Sequence, residues 1–582
     1  MSQLLTSAII NRTASATVNT TKSLLIPNPG VSLKTTQFIS QQYTYRNYSS
    51  TSFNQKYSQR IHKNAARLYA RRIIELASLN AATMSSMAMM ESGAVEIEKP
   101  KEWATVDLVE QRRQFGESIS SLGKSSISRV WAAGSRIASL TLLASPLAIL
   151  APVAYITPKD STLNNMAWNY SVWAVEKAGP TFIKLVQWAT TRNDIFPTDF
   201  IHHFSKLQDS TRGHSWKDTE ILLQESYGDK YKEWFDFDNK DQKKNIQPIG
   251  SGCIAQVYKA TLKKDTKLLP SGSEVAIKVT HPNILHKVCV DFYIMNKITQ
   301  LLESIPYIHL DYLSMRDSVE QFRDIMLPQL DLRVEARNLQ RFRRDFVDEP
   351  RIEFPQPIVD LTTDKVLVES FIHGEPILNY CDEGRKPTKD REILAELGLG
   401  TVMKMIFLYD FVHGDLHPGN IIINKNKNAR GNPLCMNMID CGLVVEMGEV
   451  DHVTLVKILG AFIKRDGNLA GQLMVDTAKK CNANKLDVEL FCKGMEDIVK
   501  ADQEQNFLES VGDYLADICY LACKHKVKLE ASIINVALAC EIMEGIASKL
   551  YPTMKVQHIA LPMVFKAEVM HGLSSMKKKS FF

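Results

Sequence analysis

The first 74 residues contain no aspartate or glutamate, although the chain of 582 residues carries 65 acidic side chains. The same stretch holds ten of the 70 lysines and arginines, so the positive net charge of the protein originates at its N-terminus. An N-terminal segment that is rich in serine and arginine and poor in acidic residues is typical of a mitochondrial transit peptide. We therefore predict a transit peptide over residues 1–48, with a polar tail on a cytosolic protein as the alternative.

The ten cysteines form no Cys-x-x-Cys pair and have no histidine at metal-ligand spacing. These absences argue against a structural zinc site and against a disulfide framework. The remaining composition, with 45% hydrophobic and 23% charged residues, is that of an ordinary globular protein. At this length one hydrophobic core is insufficient, so we expect a large two-part domain with appended segments.

Charge is also missing between Arg136 and Lys159, where 22 consecutive residues are uncharged. A helix of this length can span the hydrocarbon core of a bilayer. Pro146 and Pro152 lie inside the stretch, and proline kinks a helix, although membrane helices tolerate it. We predict a transmembrane helix over residues 137–158, with a buried helical hairpin as the alternative.

The hydrophobic pattern divides the rest of the chain into four regions. Residues 49–136 are predicted to form a helical or linker region, and residues 163–246 form a helical region with tryptophan and phenylalanine anchors. Residues 247–372 contain short β-type runs separated by a long helical segment, and residues 373–582 are mainly helical. The pattern predicts an α+β fold with a small mixed lobe that precedes a large helical lobe.

One segment within the small lobe is rich in glycine. It comprises Gly250, Ser251, Gly252, Cys253, Ile254, Ala255, Gln256 and Val257. Glycine lets a backbone approach phosphate closely, and the valine that follows can cover a nucleotide base. An ordinary tight turn gives the same letters, so the prediction that this segment binds ATP depends on the other motifs.

A lysine, Lys278, ends the apolar run 275–277 that follows the glycine-rich segment. At the end of such a strand a lysine can reach the phosphates of ATP, whereas the alternative is a surface lysine. A phosphate-binding lysine needs an acidic partner on a nearby helix. We favour Glu335 over Asp331, which lies one turn earlier on the same helix face.

Residues 413–420 read His-Gly-Asp-Leu-His-Pro-Gly-Asn, which fits the kinase catalytic-loop spacing His-x-Asp-x-x-x-x-Asn. Asp415 is the predicted catalytic base, and Asn420 is a predicted metal ligand. Residues 439–442 add an Asp-x-Gly motif in which Asp440 would bridge magnesium to the phosphates. Four motifs in this order predict a protein-kinase-like two-lobed fold with an N-terminal helical extension, and ATP and Mg²⁺ as cofactors.

Two features of peptide-phosphorylating kinases are missing. Such enzymes usually have a lysine two residues after the catalytic aspartate, where this chain has His417. No Ala-Pro-Glu sequence follows Gly442. These absences favour a phosphotransferase that acts on a lipid or small molecule, or an ATPase.

Residues 179–447 resemble the UbiB family of atypical kinases, also called aarF-domain-containing kinases. Residues 179–187, Gly-Pro-Thr-Phe-Ile-Lys-Leu-Val-Gln, are similar to the Lys-x-Gly-Gln extension of that family. The similarity continues through residues 191–194 and Pro197. The resemblance implies that Lys184 and Gln187 lie over the active site, where the lysine disfavours peptide phosphorylation.

The resemblance also implies an ATP-dependent role in mitochondrial coenzyme Q or lipid metabolism, at or in the inner membrane. The implied partners are ATP, a lipid or small-molecule acceptor and a biosynthetic protein complex, without nucleic acid.

The chain departs from the family pattern at three places. Val186 stands where the extension of relatives has glycine. Gly250 and Gly252 stand where many relatives have alanine, which makes the nucleotide segment similar to that of an ordinary kinase. Gln329 stands where relatives often have glutamate, so Asp331 and Glu335 would have to supply the carboxylates.

Three functions remain open at this point. The first is an active ATPase or small-molecule kinase with Asp415 as base. The second is a non-catalytic scaffold in which ATP binding reorganises the extension at Lys184 and controls a membrane biosynthetic complex. The third is a conventional serine/threonine kinase, which only the glycines of the nucleotide segment favour.

Overall fold

The computed structural model describes the chain between Leu108 and Val569. Between these two residues, the structure leaves the following positions undescribed: 123–126, 160, 191–197, 205–206, 208–212, 238–245, 304–314, 382–387, 426–433, 478–482, 502–510, 528, 555, 557, 561 and 568. The predicted transit peptide and the segment 191–197 of the family resemblance therefore lie outside the described residues.

The N-terminal extension is helical, as the sequence predicts. Its helices are α1 Leu108–Leu122, α2 Ile127–Ala144, α3 Leu147–Ile156, α4 Thr162–Ala178, α5 Pro180–Thr190, α6 Thr198–Phe204, α7 Trp216–Tyr227 and α8 Tyr231–Trp234. Serine side chains cap two of them, because Ser161 accepts a hydrogen bond from the backbone of α4 and Ser215 does so for α7.

The uncharged stretch 137–158, predicted as one transmembrane helix, is divided between the two helices α2 and α3. The chain turns at Ser145 and Pro146, between α2 and α3, and proline cannot continue the hydrogen bonding of the preceding helix. The stretch is not a buried hairpin either, since Leu142 and Ile149 are 76% and 72% exposed. None of the described helices combines the length and the apolar composition needed to cross a membrane.

The junction between α4 and α5 sets the position of the extension over the rest of the protein. Gly179 has a φ of +97°, which favours glycine, and Pro180 then occupies the first turn of α5. Arg136 of α2 donates to the carbonyl oxygen of Ala178 and binds both carboxylate oxygens of Asp291, at 2.8 and 3.1 Å. Because Asp291 is only 1% exposed, this ion pair fixes the junction from the inside.

A five-stranded antiparallel sheet follows the extension. The strands of this region are β1 Phe235–Asp236, β2 Gly250–Ser251, β3 Ala255–Leu262, β4 Glu274–Thr280, β5 Ile352–Glu353 and β6 Val366–Ser370. The sheet has the order β1-β3-β4-β6, with β2 paired to β3. Side chains such as Tyr258, Ile277 and Val368 are fully buried on it. The predicted β-type runs thus form β3, β4 and β6.

Three helices connect β4 to β5, and the first two pack against the extension. They are α9 Ile284–Glu303, α10 Met315–Met326 and α11 Leu332–Asp345. Phe292 of α9 and Phe322 of α10 stack in one core with Trp168 and Ile183 of the extension. Ile254 of the glycine-rich segment belongs to the same core. The extension is therefore packed against the small lobe as part of one apolar unit.

The C-terminal part is mainly helical. It contains β7 Glu375–Pro376, α12 Lys389–Phe407, β8 Phe411–His413, β9 Ile421–Lys425, β10 Leu434–Met438, β11 Val444–Glu446, α13 Glu449–Ile463, α14 Gly467–Thr477, α15 Lys485–Ala501, α16 Val511–Lys524 and α17 Ala531–Leu550. The strand order is β5-β10-β9-β7 in one sheet, and β8 pairs with β11 in another. These short strands hold the two predicted catalytic segments at the edge of the helical core.

Arg136→Ala should lower the free energy of unfolding by about 3 kcal/mol, because it leaves the carboxylate of Asp291 buried without its partner. Urea unfolding followed by circular dichroism measures the change. The control is Lys159→Ala, which breaks an exposed pair with Asp199 and should cost less than about 1 kcal/mol. Equal effects of the two substitutions would contradict the proposed role of Arg136.

Candidate active site

A cavity of about 410 Å³ lies between the sheet, α5, α11 and the segments around β8 and β11. The predicted site residues on its wall are Lys184, Gln187, Gly250, Ser251, Gly252, Cys253, Ile254, Ala255, Val257, Lys278, Glu335, Asp415, Asn420 and Asp440. The structure thus brings together residues that are as much as 256 positions apart in the sequence, from Lys184 to Asp440. Of the predicted site residues, Gln256 is not on the wall.

Lys278 lies between two carboxylates. Its Nζ is 2.9 Å from a carboxylate oxygen of Glu335 and 2.7 Å from Oδ1 of Asp440. β4 supplies the lysine, in register with Val257 of β3, and α11 supplies Glu335 from its first turn. Glu335, the partner favoured from the sequence, therefore contacts Lys278, and its side chain is 95% buried.

These ion pairs decide the charge states at the centre of the cavity. Burial lowers the pKa of Lys278, but the attraction of Asp440 and Glu335 outweighs it, so the net pKa is raised. Burial raises the pKa of Asp440, and its contacts with Lys278 reverse this, so the net pKa falls below the usual range of a carboxyl. Burial raises the pKa of Glu335 to about 7 in spite of Lys278. Lys278 and Asp440 are thus charged at neutral pH, whereas Glu335 is only partly ionised.

The backbone around Asp440 is held in an unusual conformation. Asp440 has a φ of +58°, in the left-handed region that few residues other than glycine adopt. On either side, Ile439 donates its N–H to the carbonyl oxygen of Asn420, and the buried Asn338 side chain donates to the carbonyl oxygen of Cys441 at 2.9 Å. The hydrogen bonds stabilise a strained turn that presents the carboxylate to the cavity.

Asp415, the predicted base, pairs with the lysine of the extension. Its Oδ2 is 3.3 Å from Nζ of Lys184, and its own carbonyl oxygen accepts a hydrogen bond from the amide of Asn420 at 3.0 Å. The charge of Lys184 lowers the pKa of Asp415 and outweighs the effect of burial. Asp415 is therefore ionised at neutral pH, as a base must be.

The glutamine of the extension contributes differently. Gln187 lies one turn after Lys184 on α5, and its amide donates to the carbonyl oxygen of Leu207 at 3.0 Å. Val186, which replaces the family glycine, packs partly buried against the core of the extension. The substitution therefore adds apolar packing to α5 and leaves Lys184 in contact with Asp415.

Gln329 and Asp331 do not reach Lys278. Gln329 lines the cavity, but its amide donates to the carbonyl oxygen of Ile325 at 2.9 Å. Asp331 caps the N-terminus of α11 and binds the guanidinium of Arg333. Of the carboxylates that the sequence offers on this helix, only Glu335 contacts the lysine.

Gln256 is the predicted nucleotide-site residue that the structure places elsewhere. Its fully buried side chain accepts a hydrogen bond from the backbone N–H of His214 and donates to Thr219. The alternation of β3 explains this, because Ala255 and Val257 point to the cavity and the residue between them points away. Gln256 thus anchors the glycine-rich segment to α7.

Two histidines complete that anchor. Nε2 of His281 donates to the carbonyl oxygen of Gly252 at 2.8 Å, which leaves its Nδ1 as an acceptor. Nδ1 of His214 donates to Nδ1 of His281 at 2.7 Å, and Nε2 of His214 accepts a hydrogen bond from the hydroxyl of Thr219 at 2.9 Å. Both rings are neutral in this arrangement, and a further proton would place two donors against each other. Burial, followed by repulsion from His281, accordingly lowers the pKa of His214 to about 4.

Glu369 is a site residue that the sequence motifs do not reveal. It lies in β6 beside Ala276 of β4, lines the cavity and is 9% exposed. Among the described residues no hydrogen-bond partner reaches its buried Oε2. Burial, followed by the nearby charge of Glu335, raises its pKa to about 8, so the carboxyl carries a proton at neutral pH. A glutamate within an otherwise apolar strand is the signal that could have identified it.

The donor set fits a magnesium ion held jointly with phosphates. Asp440 presents a carboxylate and Asn420 an amide oxygen to the cavity, and such oxygen atoms are the ligands that Mg²⁺ binds. Mg²⁺ is usually bound by one or two protein carboxylates together with substrate phosphates. Asp440 and the amide oxygen of Asn420 are suited to this role. No cluster of three or more acidic, histidine or cysteine ligands occurs in the described part of the chain.

Comparison with known proteins supports the same assignment. Residues 206–474 match the ABC1 atypical kinase-like domain. A mitochondrial ABC1 family protein of Saccharomyces cerevisiae is 28% identical over 74% of this chain and 74% of its own length. A protein of Glaesserella parasuis named as a probable protein kinase UbiB is 28% identical over 67% of this chain and 68% of its own. The resemblance drawn from the motifs is thereby confirmed.

The stability of the protein should fall as the pH decreases from about 6.5 towards 4, because over this range the unfolded chain protonates His214 and the folded chain does not. Since His214 is partly exposed to solvent, we expect this group to contribute about 1 kcal/mol between pH 7.5 and 5. Urea unfolding at the two pH values measures the free energy of unfolding. The difference in this free energy between the two pH values should be smaller for His214→Gln than for the wild type. His286→Gln, a change at an exposed histidine of α9, should leave the difference unaltered.

Proposed function

Because residues 206–474 match the ABC1 atypical kinase-like domain, we propose that the protein binds Mg-ATP in this cavity and uses its γ-phosphate. The observation that carries the proposal is the convergence of Lys278, Asp415 and Asp440 on one cavity, each in the relation that phosphoryl transfer requires. The proposed cofactors are accordingly ATP and Mg²⁺.

Each group has a specific role in the proposed reaction. Lys278 would bind the α- and β-phosphates, with Glu335 holding the lysine in place. Asp440 and Asn420 would hold Mg²⁺ against the phosphates, and the glycine-rich segment would cover them. Asp415 would orient and deprotonate the attacking hydroxyl group or water molecule.

The contact between Lys184 and Asp415 supports a reaction on a small molecule or on water. α5 brings Lys184 to 3.3 Å from the base, at the side where a kinase would receive its acceptor. A folded peptide segment would have to displace this helix, which is packed into the core through Ile183. We therefore favour an ATPase or a phosphotransferase for a lipid or small molecule over a conventional serine/threonine kinase.

We place this activity in mitochondria. The acid-free N-terminal stretch and the mitochondrial names of the yeast relatives support that location. The resemblance to UbiB proteins motivates the finer proposal of a role in coenzyme Q or lipid metabolism at the inner membrane.

A non-catalytic, nucleotide-gated scaffold is the second candidate, and the same ion pair favours it. In the present arrangement Lys184 occupies one oxygen of the base, so Asp415 is engaged before any acceptor arrives. In a scaffold, ATP binding would alter this contact and thereby move α5 towards or away from a protein partner.

Asp440→Asn should abolish the Mg-dependent stabilisation of the protein by ATP, because it removes the proposed metal ligand and the charged partner of Lys278. A ligand that binds only the folded state raises the melting temperature, so a thermal shift with and without Mg-ATP measures the effect. The control Asp360→Asn, at an exposed pair with Lys267, should keep the wild-type shift. The absence of any shift in folded wild-type protein would refute Mg-ATP binding.

Asp415→Asn should lower the rate of phosphate release by about 10²–10⁴-fold, the usual contribution of general acid–base catalysis. Nucleotide binding should persist, since Asp415 faces the acceptor and not the phosphates. Phosphate release in lipid vesicles and complementation of a knockout both measure the effect. Complementation that survives this substitution would favour the scaffold over the enzyme.

A further inference from the structure

A second cavity, of about 420 Å³, lies on the far side of the catalytic aspartate. Lys184, Gln187, Gln329, Asp415 and His417 border both cavities. Volumes between about 300 and 1,000 Å³ are typical of sites for small ligands. Asp415 therefore borders two cavities, each of which is large enough for a small ligand.

The wall of the second cavity is largely apolar. Trp188 of α5 and Phe322 of α10 line it from the extension and the small lobe, and their rings are 6.0 Å apart. Leu443, Leu538 and Ile542 line it from the helical lobe. Such a wall favours an occupant with a hydrocarbon or aromatic body, because burial of apolar surface is favourable by roughly 25 cal/mol per Å².

One positively charged side chain on this wall has no ion-pair partner in the described part of the chain. Lys184 pairs with Asp415, Arg112 lies 3.4 Å from Asp324, and Glu446 binds Arg341. Arg337 of α11 also lines the cavity and is half-buried, and no ion pair or hydrogen bond involves it in the described part of the chain. A guanidinium in this setting recognises a phosphate or carboxylate group.

We propose that the second cavity is the acceptor site of the proposed reaction, and that it takes an anionic amphiphile. The apolar body of the ligand lies against Trp188, Leu538 and Ile542, its anionic group binds Arg337, and a hydroxyl group reaches Asp415. This inference rests on the function proposed above. In the reaction, the acceptor oxygen forms a bond to the γ-phosphorus, the bond to the β-phosphate oxygen breaks with release of ADP, and Asp415 takes the hydroxyl proton.

Decyl phosphate is a suitable probe, because it combines one anionic group with an apolar chain and has no hydroxyl to react. Calorimetric titration of the full-length protein without nucleotide tests the cavity independently of any ATP chemistry. Decyl phosphate should bind at least tenfold more tightly than decanol, decyltrimethylammonium or inorganic phosphate. Equal binding of decanol would exclude recognition of the anion, and equal binding of inorganic phosphate would exclude a contribution from the apolar wall.

Arg337→Gln should weaken decyl phosphate binding at least tenfold, and Arg337→Lys should restore most of it. Arg344→Gln is the matched control, because Arg344 lies on the same helix but is exposed and pairs with Asp345. Thermal unfolding without ligand checks that each variant is folded. Unchanged affinity in a folded Arg337→Gln protein would overturn the proposal.

Inhibition kinetics locate the probe relative to the nucleotide. Decyl phosphate in the second cavity should lower kcat for phosphate release and leave KM for ATP unchanged, because it displaces water beside Asp415 without entering the nucleotide cavity. Competition with ATP would overturn the assignment. Decyl phosphate binding without a Mg-ATP thermal shift would refute the proposed function alone, whereas a Mg-ATP shift without decyl phosphate binding would refute the acceptor site alone.

Discussion

The ion pair of Lys278 with Glu335 and Asp440 is the contact on which the site depends. It joins a strand of the sheet, the helix α11 and the turn before β11, which come from separate parts of the chain. Lys278 and Glu335 are buried in this contact, and an unpaired charge in such an environment is costly. Loss of Lys278 would leave Glu335 and Asp440 facing each other without a positive partner, so this lysine maintains both the cavity and its electrostatics.

Several parts of this arrangement could be predicted from the sequence because they depend on local spacing. The alternation of β3 and β4 predicts their faces, and helical periodicity places Glu335 where a lysine can reach it. The segments of Asp415 and Asp440 were recognisable because their functional residues are close together in the chain. The comparisons with relatives agree with this motif-based assignment of the kinase-like domain.

Other parts could not be predicted because they depend on contacts between distant segments. Arg136 and Asp291 are 155 residues apart, and neither belongs to a motif. Gln256 is a different case, because its place within the glycine-rich segment assigns it to the nucleotide, whereas the local alternation of β3 turns it towards His214 and Thr219. The stretch 137–158 contains enough apolar residues for one long helix, but Pro146 lies at the turn that divides it in two.

The shared core of the glycine-rich segment and the extension has a mechanical consequence. Cys253 and Ile254 pack in the same cluster as Ile183, the residue that precedes Lys184 on α5. The segment that is proposed to cover the nucleotide is thus attached to the helix that lies between the two cavities. A displacement of that segment would therefore be transmitted to the helix that holds Lys184 against Asp415, so the two cavities are mechanically coupled through one apolar core.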